Sequence, residues 1–119
     1  MSLKKVRLEL ARCAEYPEGS PDFGYEIVAP LTLDGHIDLK GWEKASKNCT
    51  VRRFWRGEDD ETGLLSHSAS GWLFDYDPDA EDDDEPLFRL DDHVFKDGEY
   101  VSVTEHDGVQ RTFQVVSVD

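Results

Sequence analysis

Apolar and polar residues alternate along several short stretches of the chain, and this pattern predicts β-strands. Over residues 6–10, Val6, Leu8 and Leu10 alternate with charged side chains, which is typical of a strand with one buried face. Further strands are predicted at 23–29, 50–55, 63–68, 72–76, 100–105 and 109–118. The pattern favours a mainly β fold, a small antiparallel barrel-like or sandwich domain of about seven or eight short strands.

One short helix is predicted between the second and third strands, at about residues 39–47. Asp38 suits its N-cap and Asn48 its C-terminal end. Gly41 weakens a helix by up to about 1 kcal/mol, so we expect the helix to depend on Trp42 packing against the sheet.

The last two strands carry the most specific local prediction. A two-residue turn would place Val101 opposite Gln114. A three-residue loop over 106–108 instead places Val101 opposite Phe113, and this register gathers the apolar side chains on one face. We therefore expect a bulge at Gly108 with positive φ, so that replacing Gly108 with Val destabilises the protein.

The apolar faces of these elements define a candidate core within a single domain, as expected for 119 residues. Aromatic residues contribute much of it, because each buries a large area. The predicted core residues are Val6, Leu8, Leu10, Ile27, Trp42, Phe54, Trp72, Phe74, Val101, Val103, Phe113 and Val115.

Charge is distributed unevenly along the chain. The formal net charge is −14, with +2 on residues 1–56 and −16 on residues 57–119. We expect the acidic half to repel nucleic acid and anionic membranes, and to favour a basic protein or a divalent cation as partner. Mobile acidic loops are predicted at about 57–62 and 77–86.

No stretch has the composition of a targeting or membrane-spanning segment. Charged residues interrupt the apolar positions near the N-terminus, and no apolar run approaches the roughly 20 residues of a membrane span. We therefore expect a cytoplasmic protein with reduced cysteines. The separation of Cys13 and Cys49 matches no zinc or redox motif.

The acidic segment 75–85 is the most prominent candidate for an interaction surface. An EF-hand is excluded, because Ala80 replaces the required glycine and Pro86 the bidentate glutamate. A solvated loop and loose binding of a divalent cation are both compatible with it. In an extended strand, alternate aspartates about 6.6 Å apart would resemble a nucleic-acid backbone. The acidic residues predicted for the surface are Asp75, Asp77, Asp79, Asp82, Asp83 and Asp84.

The basic counterpart of this segment is residues 51–56, where arginines and aromatic residues interleave. Such a pattern binds nucleic acid in some proteins, but the net charge argues against it here. We expect either a strand with one core face and solvated arginines, or arginines that pair with the acidic loops of the same chain. The basic residues predicted for the surface are Arg52, Arg53 and Arg56.

Motifs for catalysis or metal binding are absent from the sequence. None of the four histidines stands three or four residues from another, so no local metal site is predicted. A site assembled from distant strands would use His67, His93 and Cys49. Neighbouring side chains of a strand point to opposite faces, so Ser66 and His67 do not form a nucleophilic pair. No cofactor is expected, and a binding protein is favoured over an enzyme.

Five segments resemble an uncharacterised family of small acidic bacterial proteins. They are VRLELAR (6–12), GYEIVAPL (24–31), GHID (35–38), VRRFW (51–55) and GEYVSVTEHDG (98–108). The resemblance spans nearly the whole chain and implies a bacterial, cytoplasmic, free-standing domain. It implies no activity, ligand or catalytic residue.

Three functional hypotheses follow from the sequence. The first is a non-catalytic cytoplasmic binding or interaction module that uses an acidic surface. The second is a small-ligand- or metal-binding β-barrel, enzymatic or not, that uses His67, His93 and Cys49. The third is an acidic mimic of nucleic acid. The sequence leaves the partner, any reaction and the oligomeric state undetermined.

Overall fold

The strands follow one another along the chain with one helical segment between the second and the third. The computed structural model describes residues 3–68, 71–75, 85–86, 94–104 and 109–119. Its strands are β1 (Leu3–Leu10), β2 (Ser20–Pro30), β3 (Thr50–Trp55), β4 (Glu61–Ser68), β5 (Gly71–Asp75), β6 (Glu85–Pro86), β7 (Tyr100–Thr104) and β8 (Gln110–Val118). Helix α1 (Leu39–Ala45) continues into a 3-10 turn at Ser46–Asn48.

The strands form one antiparallel sheet in the order β6-β5-β4-β3-β2-β1-β8-β7. Apart from β6 and β7, which are the two edges, strands that follow each other in sequence are neighbours, and β1 also pairs with β8. This is the connectivity of an up-and-down barrel. The sheet curls into a half-barrel, and its edge strands β6 and β7 approach each other. The prediction of a mainly β, barrel-like domain with one short helix is confirmed.

The core fills the inner, concave face of the curled sheet. Ten of the twelve predicted core residues are buried. Trp42 is partly buried and packs against the core, whereas the assignment of Phe54 to the core is wrong, as described below. Tyr25, which the prediction omitted, is fully buried and its ring centroid lies 5.1 Å from those of both Phe74 and Phe113.

The register predicted for the last hairpin is confirmed. Val101 lies opposite Phe113, Ser102 opposite Thr112 and Thr104 opposite Gln110. The buried faces of both strands therefore coincide, as the hydrophobic pattern requires. The turn itself, including Gly108, lies outside the described residues.

Helix α1 is held by polar contacts at its N-terminus and at its middle. The Asp38 carboxylate caps it by accepting a hydrogen bond from the Gly41 amide at 3.2 Å. Trp42 Nε1 donates to the Leu65 carbonyl at 2.8 Å, which ties the helix to β4. The regular helix ends two residues before the predicted boundary. No helix among the described residues is long and apolar enough to cross a membrane.

The first acidic loop is shorter than predicted. Strand β4 begins at Glu61, because Glu61 and Thr62 pair with Arg53 and Arg52 of β3. The loop between β3 and β4 is therefore residues 56–60. In the second predicted loop, Glu85 and Pro86 form β6, and residues 77–84 lie outside the described part of the chain.

Candidate functional site

Strand β3 presents arginine and aromatic side chains on both faces of the sheet. Val51 and Arg53 are buried on the inner face, and Trp55 packs against the same core. Phe54 points to the outer face, together with Arg52 and Arg56. The prediction that Phe54 belongs to the core is wrong, because the pairing of β3 with β2 sets Arg53, not Phe54, opposite the buried Tyr25.

Phe54 fills space on the outer face where β2 has no side chain. It lies opposite Gly24, and a Cβ atom at Gly24 would lie 1.9 Å from the Leu8 carbonyl oxygen and 2.9 Å from the Phe54 ring. The Arg7 guanidinium covers the ring at 4.3 Å from its centroid. Phe54 is thus half-buried by a neighbouring cation rather than by the core.

Glu26 is the centre of an ion-pair network on this outer face. It accepts a hydrogen bond from Arg52 and lies 3.6 Å from Arg7 Nη1 and 4.0 Å from Lys5 Nζ. Arg7 Nε also donates to Glu9 at 2.8 Å. Each cation on β1 that faces outward therefore has an acidic neighbour.

The outward arginines of β3 are neutralised within the chain. Arg52 Nη1 donates to Asp60 at 3.0 Å, and Arg56 pairs with Asp22. The pairing of Arg52 with Asp60 matches the predicted alternative in which these arginines contact the acidic loops. Such exposed pairs contribute at most about 1 kcal/mol each, but they remove two of the three predicted arginines as free cations.

Arg53 is an arginine on the inner face and is only 4% exposed. Its guanidinium lies 4.1 Å from the centroid of the Trp55 ring, and its Nη1 donates to Glu58 at 3.3 Å. The indole shields the guanidinium from water, and the carboxylate compensates its charge. Arg53 is therefore a structural element of the half-barrel and not part of an exposed surface.

A cleft opens at the end of the half-barrel where β1, β3 and β8 come together. It encloses about 420 Å³ and is lined by residues 12–16, Phe23, Trp55 and residues 109–112; we call it the Trp55 cleft. The volume lies within the usual range of small-molecule sites, and mouths of β-barrels are common positions for them. Its walls combine aromatic rings with guanidinium groups.

The turn that forms one wall of this cleft is tightly held. Cys13 and Tyr16 exchange backbone hydrogen bonds of 3.0 and 3.2 Å, and the Gly19 amide donates to the Tyr16 carbonyl at 2.9 Å. Gly19 has a φ of 75°, and a Cβ there would lie 2.5 Å from the Leu10 carbonyl oxygen. Glycine is therefore required for the chain to fold back over the end of β1.

The predicted metal ligands do not form a site in the described part of the chain. Cys49 is fully buried, its thiol donates to the Ala45 carbonyl at 3.4 Å, and burial raises the pKa of that thiol. His67 is exposed, with its ring centroid 4.6 Å from that of Trp72. Among the described residues, no group of three His, Cys, Asp or Glu is arranged to hold a metal. His93 lies outside them.

Of the acidic residues predicted for the surface, only Asp75 lies in the described part of the chain. Asp75 ends β5 and lies opposite Leu64. Together with Lys5 and Arg52 it lines an open groove. Its Oδ1 is buried and has no hydrogen-bond partner within the described part of the chain. The remaining members lie outside the described residues: Asp77, Asp79, Asp82, Asp83 and Asp84.

The residues of the Trp55 cleft were not predicted from the sequence. Arg12 and Arg111 stand almost a full chain length apart, and no motif links them. They become neighbours of one cleft because Leu10 pairs with Phe113. Predicting the cleft would have required knowing that the first strand pairs with the last. That contact joins residues far apart in the chain, so no local pattern indicates it.

Comparison with known proteins adds no functional assignment. No protein-family model, curated protein or solved structure matches the chain. The resemblance to an uncharacterised bacterial family therefore stays a prediction, and function is argued from the residues of this chain.

Proposed function

We propose that the protein is a non-catalytic binding module that engages a basic protein through its acidic surface. The observation that carries the proposal is the internal neutralisation of the β3 arginines. Arg52, Arg53 and Arg56 each have a carboxylate partner in the same chain. They do not form a positively charged binding surface, so the acidic excess of −14 dominates the interactions of the molecule.

The acidic excess is concentrated in the half of the chain that begins after β3. Residues 57–119 carry −16. Within the described residues, Asp59 and Glu61 of this half are exposed and take part in no ion pair, in contrast to Asp60. A field of this sign accelerates the approach of basic partners and suppresses the approach of acidic ones.

The environment of Cys49 supports a non-catalytic role. A nucleophilic cysteine needs a lowered pKa and access to solvent. The Cys49 thiol is fully buried, and desolvation raises its pKa. It behaves as a small apolar core residue.

The proposal predicts salt-dependent binding of a basic peptide. The probe is a short polylysine peptide titrated into the whole protein by isothermal calorimetry. Because opposite charges attract less when salt screens them, the affinity should fall at least about tenfold between low salt and about 0.3 M salt. Displacement of the peptide by about 1 mM calcium or magnesium would contradict the choice of a basic protein as partner.

A matched pair of variants separates a defined surface from net charge alone. The test variant replaces three predicted members of the surface by amides: Asp82→Asn, Asp83→Asn and Asp84→Asn. The control variant makes the same change in charge at exposed acids of the half 1–56: Glu18→Gln, Asp34→Asn and Glu43→Gln. We expect the test variant to bind about fivefold more weakly and the control to change by less than about twofold. Equal losses would show that net charge alone acts.

A further inference from the structure

The Trp55 cleft is built from two kinds of side chain whose chemistry points to one ligand class. Its apolar part is a row of aromatic rings, in which the Phe23 ring centroid lies 4.6 Å from that of Trp55 and 5.1 Å from that of Tyr16. Phe23 is buried, so it anchors the two partly exposed rings. Neighbouring rings are tilted by 53° and 55° to one another, so the row offers ring faces and edges against which a planar apolar group can pack.

The polar part of the cleft is cationic, unlike the molecule as a whole. Among the described residues, Arg12, Arg111 and the acid Glu15 line it. The Arg111 guanidinium lies 5.8 Å from the centroid of the Trp55 ring. Arg12 is exposed and, in contrast to the arginines of the outer face, has no acidic partner among the described residues. Gln110 and Thr112 also line the cleft.

Local charge outweighs net charge at a site of this size. The chain carries −14, which opposes the approach of an anion at long range. At physiological ionic strength, exposed charges farther away than about 8 Å are largely screened. A ligand inside the cleft therefore interacts mainly with the groups that line it, and guanidinium groups bind carboxylates through paired, charge-assisted hydrogen bonds.

We propose that the Trp55 cleft binds a small organic anion that combines a planar aromatic ring with a carboxylate. The ring stacks against Trp55 and Tyr16, and the carboxylate is held by Arg12 with help from Arg111. None of the residues that line the cleft belongs to the predicted acidic surface, and the test does not depend on the proposed function.

The experiment uses 1-naphthoate as the probe and 1-naphthalenemethanol as its neutral counterpart of similar shape. Affinities are measured by quenching of tryptophan fluorescence in the whole protein. Site occupancy is read independently from protection of Cys13, which lies exposed in the cleft, against N-ethylmaleimide by mass spectrometry. The buried Cys49 serves as an internal control for unfolding.

We expect 1-naphthoate to bind about tenfold more tightly than the alcohol and to protect Cys13. Arg12→Gln should remove most of that difference, because it deletes the charge but leaves the aromatic rings. The matched control is Arg52→Gln on the outer face, which should change the affinity by less than about twofold. Equal affinity for the two probes, no protection of Cys13, or an equal loss in the control would overturn the proposal.

Discussion

The two faces of β3 use the same types of residue for different purposes. On the outer face, Arg52 and Phe54 lie among charged neighbours, and the described ion-pair partners of Arg52 are a half-buried and an exposed acid. On the inner face, Arg53 is buried beneath Trp55. The comparison teaches that the energetic weight of an arginine or an aromatic ring depends on the face it occupies and not on its type.

The largest expected effect comes from deleting one phenyl ring on each face. Phe113→Ala should lower the free energy of unfolding by about 3–5 kcal/mol, because Phe113 is fully buried and a cavity would remain. Phe54→Ala should cost about 1–2 kcal/mol, because the ring is half-exposed. Urea denaturation measures both values, with circular dichroism as the control for folding. Equal costs would contradict the assignment of the two faces.

An intermediate effect is expected from deleting one arginine on each face. Arg53→Ala should cost about 2 kcal/mol, because the packing of its side chain under Trp55 is lost together with its charge. Arg52→Ala should cost less than about 1 kcal/mol, because Glu26 keeps Arg7 and Lys5 as neighbours. Repeating both denaturations in high salt sharpens the comparison. Salt should abolish the small effect of Arg52 and leave that of Arg53, and loss of both would refute the burial of Arg53.

The smallest effect concerns Cys49 and appears only at alkaline pH. Burial raises the pKa of the folded thiol above its ordinary value of 9.0. Well below pH 9 both states keep the proton, so stability is unaffected. Above it the unfolded state loses the proton first, and stability falls as pH rises, with a limiting slope of about 1.4 kcal/mol per pH unit for one group.

The variant Cys49→Ala isolates this contribution from other groups that titrate at alkaline pH. The difference in unfolding free energy between wild type and variant should be constant from pH 7 to about 8.5 and should shrink at higher pH. A Cys49→Ala profile parallel to that of wild type would show that the buried thiol ionises normally.

The alternation of apolar and polar residues by itself determined most strands and the register of the last hairpin, and the capping residue Asp38 determined where the helix begins. Side chains of a strand point to alternate faces, so apolar residues at every second position predict which face of the strand is buried. Val101 and Phe113 are opposite each other for this reason. These features depend on neighbours close in sequence, and the local pattern contains them.

Tertiary structure alone decided which face of β3 is buried and where a cleft forms. Phe54 is more hydrophobic than Arg53 and is therefore the better candidate for the core. The pairing with β2 nevertheless places Phe54 opposite Gly24 and Arg53 opposite Tyr25. Arg12 and Arg111 share a cleft because β1 pairs with β8. Both outcomes depend on contacts between residues far apart in the chain, which bring together side chains that no local pattern relates.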